Sequence, residues 1–542
     1  MFLIKRIYPI LFLIMSVGLC ACYQDKEVQR KIFRYNETAG ITSLDPAFAR
    51  NQANMWIVHQ LYNTLVEVND KMEIVPSLAS RWQVSKDGKE WTFTLRNDVF
   101  FHDSPAFRGD GKGRRLTAKD VEYSFNRIID PATASPGAWI FNNRVDEQHP
   151  FVALNDSVFR IKLKVAFHPI LGILSMQYCS IVPQEAVLYY GTSFRNNPVG
   201  SGPFCLVKWV EGQALICKKN VHYFEKDEVG NSLPYLDGIH VSFADSKATE
   251  FLLFRQGKLD FINDIDASFK DEVLTRSGNL RKEWNGKVLL NKHPYFNIEY
   301  LGISLDTAKP VFQQSPLRLK KVRQAMQYAI DKNRLMLYLR NSIGTPAYSG
   351  FIPIGFPAFD SSFHPNQYNL ERAKKLLIEA GYHRDMPAIV LNTIPQYANL
   401  GVFIINELEK AGMNVQLNVM QKSLLLQQMA AGDINFFRGS WIADYPDAEN
   451  YLSVFYGDNP APPNYTRYRN KLFNEWYKTA VITPDDGVRI ALYKRMDSLM
   501  MDDAPVIPLW YDMVLHLVNP WVKNFHPNSL NLLELRRVMK EK

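Results

Sequence analysis

The sequence predicts an α/β protein of two or three domains. Three observations carry that prediction. The chain has 542 residues, 46% hydrophobic and only 22% charged, enough apolar material for more than one core. Its first third carries strand patterns of period two, and its second half alternates strands with amphipathic helices. Gly (28) and Pro (30) stand near ordinary usage without a fixed period, and no segment repeats at 20–50-residue spacing, which excludes collagen-like, low-complexity and solenoid chains. The 13% aromatic content suits either well-filled cores or a surface that holds ligands by stacking.

At the N-terminus, Lys5 and Arg6 precede an apolar run from Ile7 to Leu19, interrupted by Tyr8, Pro9, Ser16 and Gly18. The run is too short for a permanent membrane span, which needs about 20 residues, and reads as an export signal peptide. Leu19-Cys20-Ala21-Cys22 resembles the bacterial lipoprotein box, with residues 1–21 as the leader and Cys22 as the lipidation site; Cys20 fits less well because bulky Leu19 precedes it. The mature chain is therefore expected to be exported and lipid-anchored at the cell envelope. Loss of the leader lowers the formal charge of +8 by two. So mild a balance, with no basic run, argues against nucleic acid.

Trp91, Phe93 and Leu95 alternate with Thr92 and Thr94, and Phe159, Ile161, Leu163 and Val165 alternate with Arg160, Lys162 and Lys164, the signature of half-buried strands. Thr117 with Asp120 forms a capping-box pattern ahead of a helix whose apolar face is Val121, Phe125, Ile128 and Ile129, ending before Pro131. Cys179, Cys205 and Cys217 are too few for a disulfide scaffold. A three-residue turn at Glu211-Gly212 would set Cys205 and Cys217 opposite each other, as a disulfide or as buried free thiols. In the second half, helices are predicted from Ser315-Pro316 and from Asn369 to Gly381. A strand at Ile389–Leu391, a helix at Val402–Lys410 closed by Gly412, and a strand at Val415–Val419 form a βαβ unit.

The run Pro76-Ser77-Leu78-Ala79-Ser80-Arg81-Trp82, then Asp87-Gly88, Trp91–Arg96, Phe101-His102-Asp103 and Thr117-Ala118-Lys119-Asp120-Val121, resembles the signature of the family 5 extracellular solute-binding proteins, the oligopeptide- and dipeptide-binding components of bacterial ABC importers. The likeness continues in order through Asn197–Phe204, Val322–Ala325 with Ala329-Ile330-Asp331, Ala373–Leu377, Trp441–Asp447 and Ala504–Tyr511, nearly the whole mature chain. It implies a periplasmic-binding-protein-like α/β fold of type II: a three-domain clamshell with two α/β lobes and a smaller extra domain. Lobe I would comprise residues 22–62, 187–296 and 512–542, domain II residues 63–186, and lobe III residues 297–511.

The resemblance also implies the partners: a peptide held between the lobes, a permease, and a separate ATPase, with the binding protein acting as a monomer without enzymatic activity or cofactor. In the peptide-binding members, the aspartate of a Trp-x-x-Asp motif receives the peptide ammonium, and Asp444, three residues after Trp441, falls on that position. A helix N-cap is the alternative role for Asp444. Arg438 matches an arginine that meets a peptide carboxylate, or else forms a surface ion pair. Gly200-Ser201-Gly202 would let the backbone approach a ligand or simply shape the strand that starts at Phe204. This chain departs from the oligopeptide binder at Arg50, where an acidic residue is expected, at Gly137, where a ligand-facing tyrosine is expected, and near Met429, where a second arginine is expected. The dipeptide binder's arginine falls near Gln396-Tyr397, and the family's paired cysteines correspond to Asn297 and Ile442. The ammonium end of the site is thus retained and the carboxylate end rebuilt, which leaves a non-peptide solute (a metal chelate, a saccharide or another small molecule) as the alternative ligand and a receptor without transport as the alternative role.

Other chemistries lack their residues. No Gly-x-Ser-x-Gly elbow occurs, because Val199 stands where the first glycine is needed before Ser201. None of the 11 histidines forms an i,i+3 or i,i+4 pair, so no metal site is expected. Gly109–Gly113 lacks phosphate-loop spacing, so ATP would be hydrolysed by another subunit.

Overall fold

The computed structural model describes residues 31–541; the leader and Cys22 lie outside the described residues. Three sheets organise the chain. Strand Ile32–Asn36 runs parallel to Gly238–Ser242, which continues antiparallel to Ala214–Lys219 and then to Phe204–Val210. A second, antiparallel sheet takes the order Ala79–Val84, Glu90–Leu95, Val158–Lys162, Phe151–Asn155. The predicted alternation holds there: Trp91, Phe93 and Leu95 are buried, as are Phe159, Ile161 and Leu163. Val165 is instead 62% exposed, because the strand stops at Lys162. Helix Ala118–Ile129 lies across this sheet and sets Phe125 edge-on to Phe151 and Phe159, with centroids 5.4 and 5.5 Å away, the preferred aromatic geometry. Its start follows from the capping box: the Asp120 carboxylate accepts from the Thr117 backbone N–H at 2.8 Å, satisfying a donor that the first helical turn cannot.

The third sheet has seven strands. Two of them are unusually long, Leu289–Ile303 and Val506–Val518, paired antiparallel over nearly their whole length. At one end Val518 pairs with Phe261, whose ring packs on Phe33 of the first sheet. At the other end Asn297–Ile303 pair with Phe436–Ile442. The two strands therefore run from one lobe into the other, and their register slips between Pro294 and Ile298. Beyond the crossing, Ile389–Thr393 and Val415–Val419 pair in parallel around helix Ala398–Lys410, the expected βαβ unit. Ile298 and Tyr300 face one core, Leu301 and Ile303 the other, so this sheet is covered on both faces, as parallel α/β architecture requires. The helix expected from Ser315 begins later: Ser315 caps a 3₁₀ turn over Pro316–Arg318, extended Leu319 interrupts it, and the α-helix runs Lys320–Ala329. The Asn369-capped helix lies where expected, at Leu370–Glu379.

Asn297 and Ile442, the positions of the family's paired cysteines, are direct cross-strand partners. The expected opposition of Cys205 and Cys217 is not found. The turn has three residues, but Val207 bulges out of the ladder, so that Cys205 pairs with Lys218 and Leu206 with Cys217. An offset of one residue sends the two thiols to opposite faces of the sheet, and both are free. Burial pushes the Cys179 and Cys217 thiols well above their ordinary range. Residues 31–541, denatured and alkylated without reductant, are therefore expected to take up three equivalents of iodoacetamide; uptake of one would reveal the disulfide.

Candidate functional site

Between the lobes lies a cavity of about 460 Å³ whose wall includes Arg50, Trp56, Trp139 and Tyr178 from one side, Ile442, Ala443 and Asp444 from the other, Tyr295 from the crossing strand and Leu530–Leu532 near the C-terminus. Asp444 follows the strand Phe436–Ile442, where Ala443 N–H still donates to Phe296 O at 2.8 Å. Buried Asn450 fixes the next residue: its Oδ1 accepts from the Asp444 backbone N–H and from Trp441 Nε1, and its Nδ2 donates to Asp444 Oδ2. Oδ1 of Asp444 has no hydrogen-bond partner, and the carboxylate no ion-pair partner, among the described residues. Burial raises its pKa to about 6, opposed by the Asn450 hydrogen bond.

Asp444 does not cap a helix. The helix Glu449–Leu452 is served by Asp447, whose Oδ1 accepts from Glu449 N–H at 2.8 Å. Trp441 lies outside the cavity wall and acts through Asn450, whose amide it orients.

The remaining expected site residues lie elsewhere. Arg438 is bound to the buried carboxylate of Glu299 and stacks over Tyr397 at 3.5 Å from the ring centroid. Arg340 and Asp512 pair close by, at 2.7 Å, while burial raises Glu299 to about 7 against the pull of Arg438. Arg438 thus belongs to a closed ionic cluster beside the lobe crossing rather than to the cavity. Gly200-Ser201-Gly202 is turned inward. A side chain at Gly200 would stand 2.0 Å from Leu61 O, and one at Gly202 would stand 2.4 Å from Leu61 C. Ser201 donates to Asn63 Oδ1 at 3.0 Å, and His102 holds both glycine carbonyls, with N–H to Gly200 O at 2.7 Å and Nε2 2.9 Å from Gly202 O. The close approach that glycine permits is made by the chain's own backbone.

Sequence reasoning missed Tyr178, Trp139, Tyr295 and the C-terminal segment. One signal was present: Gly137, where a tyrosine was expected, leaves the space that the Tyr178 ring occupies, since a Cβ at Gly137 would meet that ring at 2.4 Å. An aromatic wall is kept, supplied from a different position. Also missed was Arg536, which pairs with Glu67, Glu225 and Glu534 at 2.6, 2.6 and 3.2 Å below the cavity floor, with His59 on Glu534 at 3.1 Å. A wider depression of about 990 Å³ lies on the outer side, but Arg127 and Asp45 in its wall already grip each other.

The model of the bacterial extracellular solute-binding proteins, family 5 (middle region) matches residues 73–463. The chain belongs to that family. Among its relatives, this family 5 protein is 26% identical over 514 residues to the periplasmic oligopeptide-binding protein OppA of Salmonella typhimurium, covering 90% of this chain and 89% of the relative. It is 24% identical over 537 residues to the dipeptide-binding protein DppE of Bacillus subtilis, covering 93% and 91%. The structure of the Helicobacter pylori periplasmic binding protein DppA in complex with the peptide STSA superposes with a TM-score of 0.74, at 24% identity, over 94% of this chain and 98% of that one. The family consists of solute-binding proteins, and no helix among the described residues is long and apolar enough to cross a membrane.

The inward packing of the glycines sets an expectation. Gly202→Ala should lower the melting temperature by several degrees, through backbone collision with Leu61 and Tyr62, while folded protein keeps its ligand affinity within about twofold. A selective loss of affinity, read by calorimetry beside thermal unfolding, would return Gly202 to the binding surface.

Proposed function

We propose that this protein captures peptides between its two lobes and delivers them to an ABC permease, with ATP hydrolysed by partner subunits. Peptides of varied sequence share only a backbone and charged ends, so a tolerant binder must fix those and leave side chains room. The observation that carries the reading is Asp444: a carboxylate without a counter-ion, turned into a partly dehydrated cavity that both lobes wall. A peptide α-ammonium there would make a charge-assisted hydrogen bond to Oδ1, stronger than in water because the surroundings are less polarisable. In this reading lobe I spans residues 22–62, 187–296 and 512–542, domain II 63–186 and lobe III 297–511. The register slip at Pro294–Ile298 supports a division near residue 297. Export, anchoring through a lipid on Cys22 and action as a monomer complete the proposal.

Asp444→Asn should weaken tripeptide binding by roughly 2–5 kcal/mol, the range for truncating one partner of a buried charge pair, or about 30-fold or more. The same substitution should raise, or leave unchanged, the melting temperature of the ligand-free protein at pH 7. The sign follows from burial. The folded-state pKa, about 6, lies above the ordinary 3.8, so ionisation destabilises the folded protein as pH rises through that interval, and the cost persists at neutral pH. A drop in both affinity and melting temperature would mark Asp444 as scaffold.

Protonation gives a second test. Peptide affinity should be flat near pH 7 and fall as pH drops through 6, approaching tenfold per unit below it, in titration calorimetry with a tripeptide whose C-terminus is amidated. A flat profile down to pH 5 would exclude Asp444 as the ammonium partner.

A further inference from the structure

Apart from its tyrosines, four side chains with ionisable groups line the cavity: Arg50, His59, Glu67 and Asp444. Two are already engaged, His59 with Glu534 and Glu67 with Arg536. The other two, Arg50 and Asp444, have no ion-pair partner among the described residues, and they carry opposite charges. They do not neutralise each other. Buried Tyr178 stands in the same wall, and its hydroxyl responds to both: after burial, Asp444 pushes its pKa up, towards about 12, and Arg50 pulls it down. The cavity thus presents one free anion and one free cation with an aromatic ring near both.

Arg50 is also placed with some precision. It joins the 3₁₀ turn Pro46–Phe48 to helix Gln52–Leu61, its N–H donates to Phe48 O at 2.8 Å, and Asn51 caps the helix that follows. Ser135 donates to Ala47 O at 2.6 Å and ties the turn to the neighbouring domain. The backbone is held while the side chain is exposed and open to a partner at the mouth shared with the outer depression. Guanidinium matches a carboxylate through two parallel N–H donors and loses little solvation at an open mouth.

Building on the peptide reading above, we propose that Arg50 binds a carboxylate of the ligand while Asp444 holds its ammonium, so that the site selects short peptides with an anionic group close to the free N-terminus. Two ligand groups supply that chemistry: an acidic side chain next to the N-terminal residue, or the C-terminal carboxylate of a dipeptide. Arg50 is then a specificity-determining residue, and the sign of its charge decides which peptides are favoured.

The test is titration calorimetry of the wild-type chain, Arg50→Gln and Arg50→Lys against Ala-Glu-Ala-amide, Ala-Gln-Ala-amide, Ala-Ala and Ala-Ala-amide. Hydrogen bonds to charged groups lead to an expected preference of about tenfold or more for Ala-Glu-Ala-amide over Ala-Gln-Ala-amide if the acidic side chain is read, or for Ala-Ala over Ala-Ala-amide if the C-terminus is read. Arg50→Gln should erase that preference and leave the neutral peptide within about twofold of wild type; Arg50→Lys should restore part of it. An Arg50→Gln protein that keeps the full preference, or loses affinity equally for all four ligands, overturns this inference and leaves the peptide reading standing. If none of the four binds the wild-type chain, and neutral tripeptides with free termini also fail, both fall together.

Discussion

Everything in this molecule hangs on one pair of strands. Leu289–Ile303 and Val506–Val518 are hydrogen-bonded to each other over nearly their whole length, so the seven-stranded sheet extends from both ends of one ladder, and the first sheet packs on it through Phe33 and Phe261. A ladder resists stretching but tolerates twist, and the register slip at Pro294–Ile298 leaves fewer bonds where bending is needed. Around that point cluster Asn297, Asp512 and Arg340, with Asn297 Nδ2 3.0 Å from Asp512 Oδ2, while Glu299 and Arg438 pair close by. Arg438 is held in this cluster by Glu299, which keeps it out of the cavity.

The burial pattern separates the two functions of the chain. The cores are filled by aliphatic and aromatic side chains at close to complete burial, and several buried carboxylates there are ion-paired, as Asp120 is with Arg114 and Asp45 with Arg127. In the cavity the pairing is incomplete by design of the surrounding residues: Asn450 spends its amide orienting Asp444 and leaves one carboxylate oxygen free. An unsatisfied buried charge is costly, and a solute-binding protein is the kind of molecule in which a ligand removes that cost.

Much of this was legible in the sequence. Periodicity and capping residues located the strand Glu90–Leu95, the helix after Thr117 and the βαβ unit, because those signals are local. Failures arose where one residue of backbone irregularity changes the outcome. The bulge at Val207 moved Cys205 out of line with Cys217, and extended Leu319 split the helix expected from Ser315. The family resemblance pointed to Asp444, which lies in the cavity wall, but nothing local reveals that Arg438 turns to Glu299 or that Tyr178 fills the space above Gly137. Those are contacts between segments far apart in the chain, fixed only by the tertiary packing within each domain.

Tyr445, the neighbour of Asp444, has its ring buried in the core of the opposite side, against Gly172, where an added Cβ would lie 3.2 Å from Cδ2. His168 N–H donates to Val481 O across the same seam at 2.9 Å. The residue that walls the cavity and the residue that packs across this seam are thus consecutive in the chain. Any motion that parts the two sides at this seam must draw the Tyr445 ring away from Gly172. Separating the sides would expose an aromatic ring that is now buried, so this packing favours the closed arrangement through the apolar surface it removes from water.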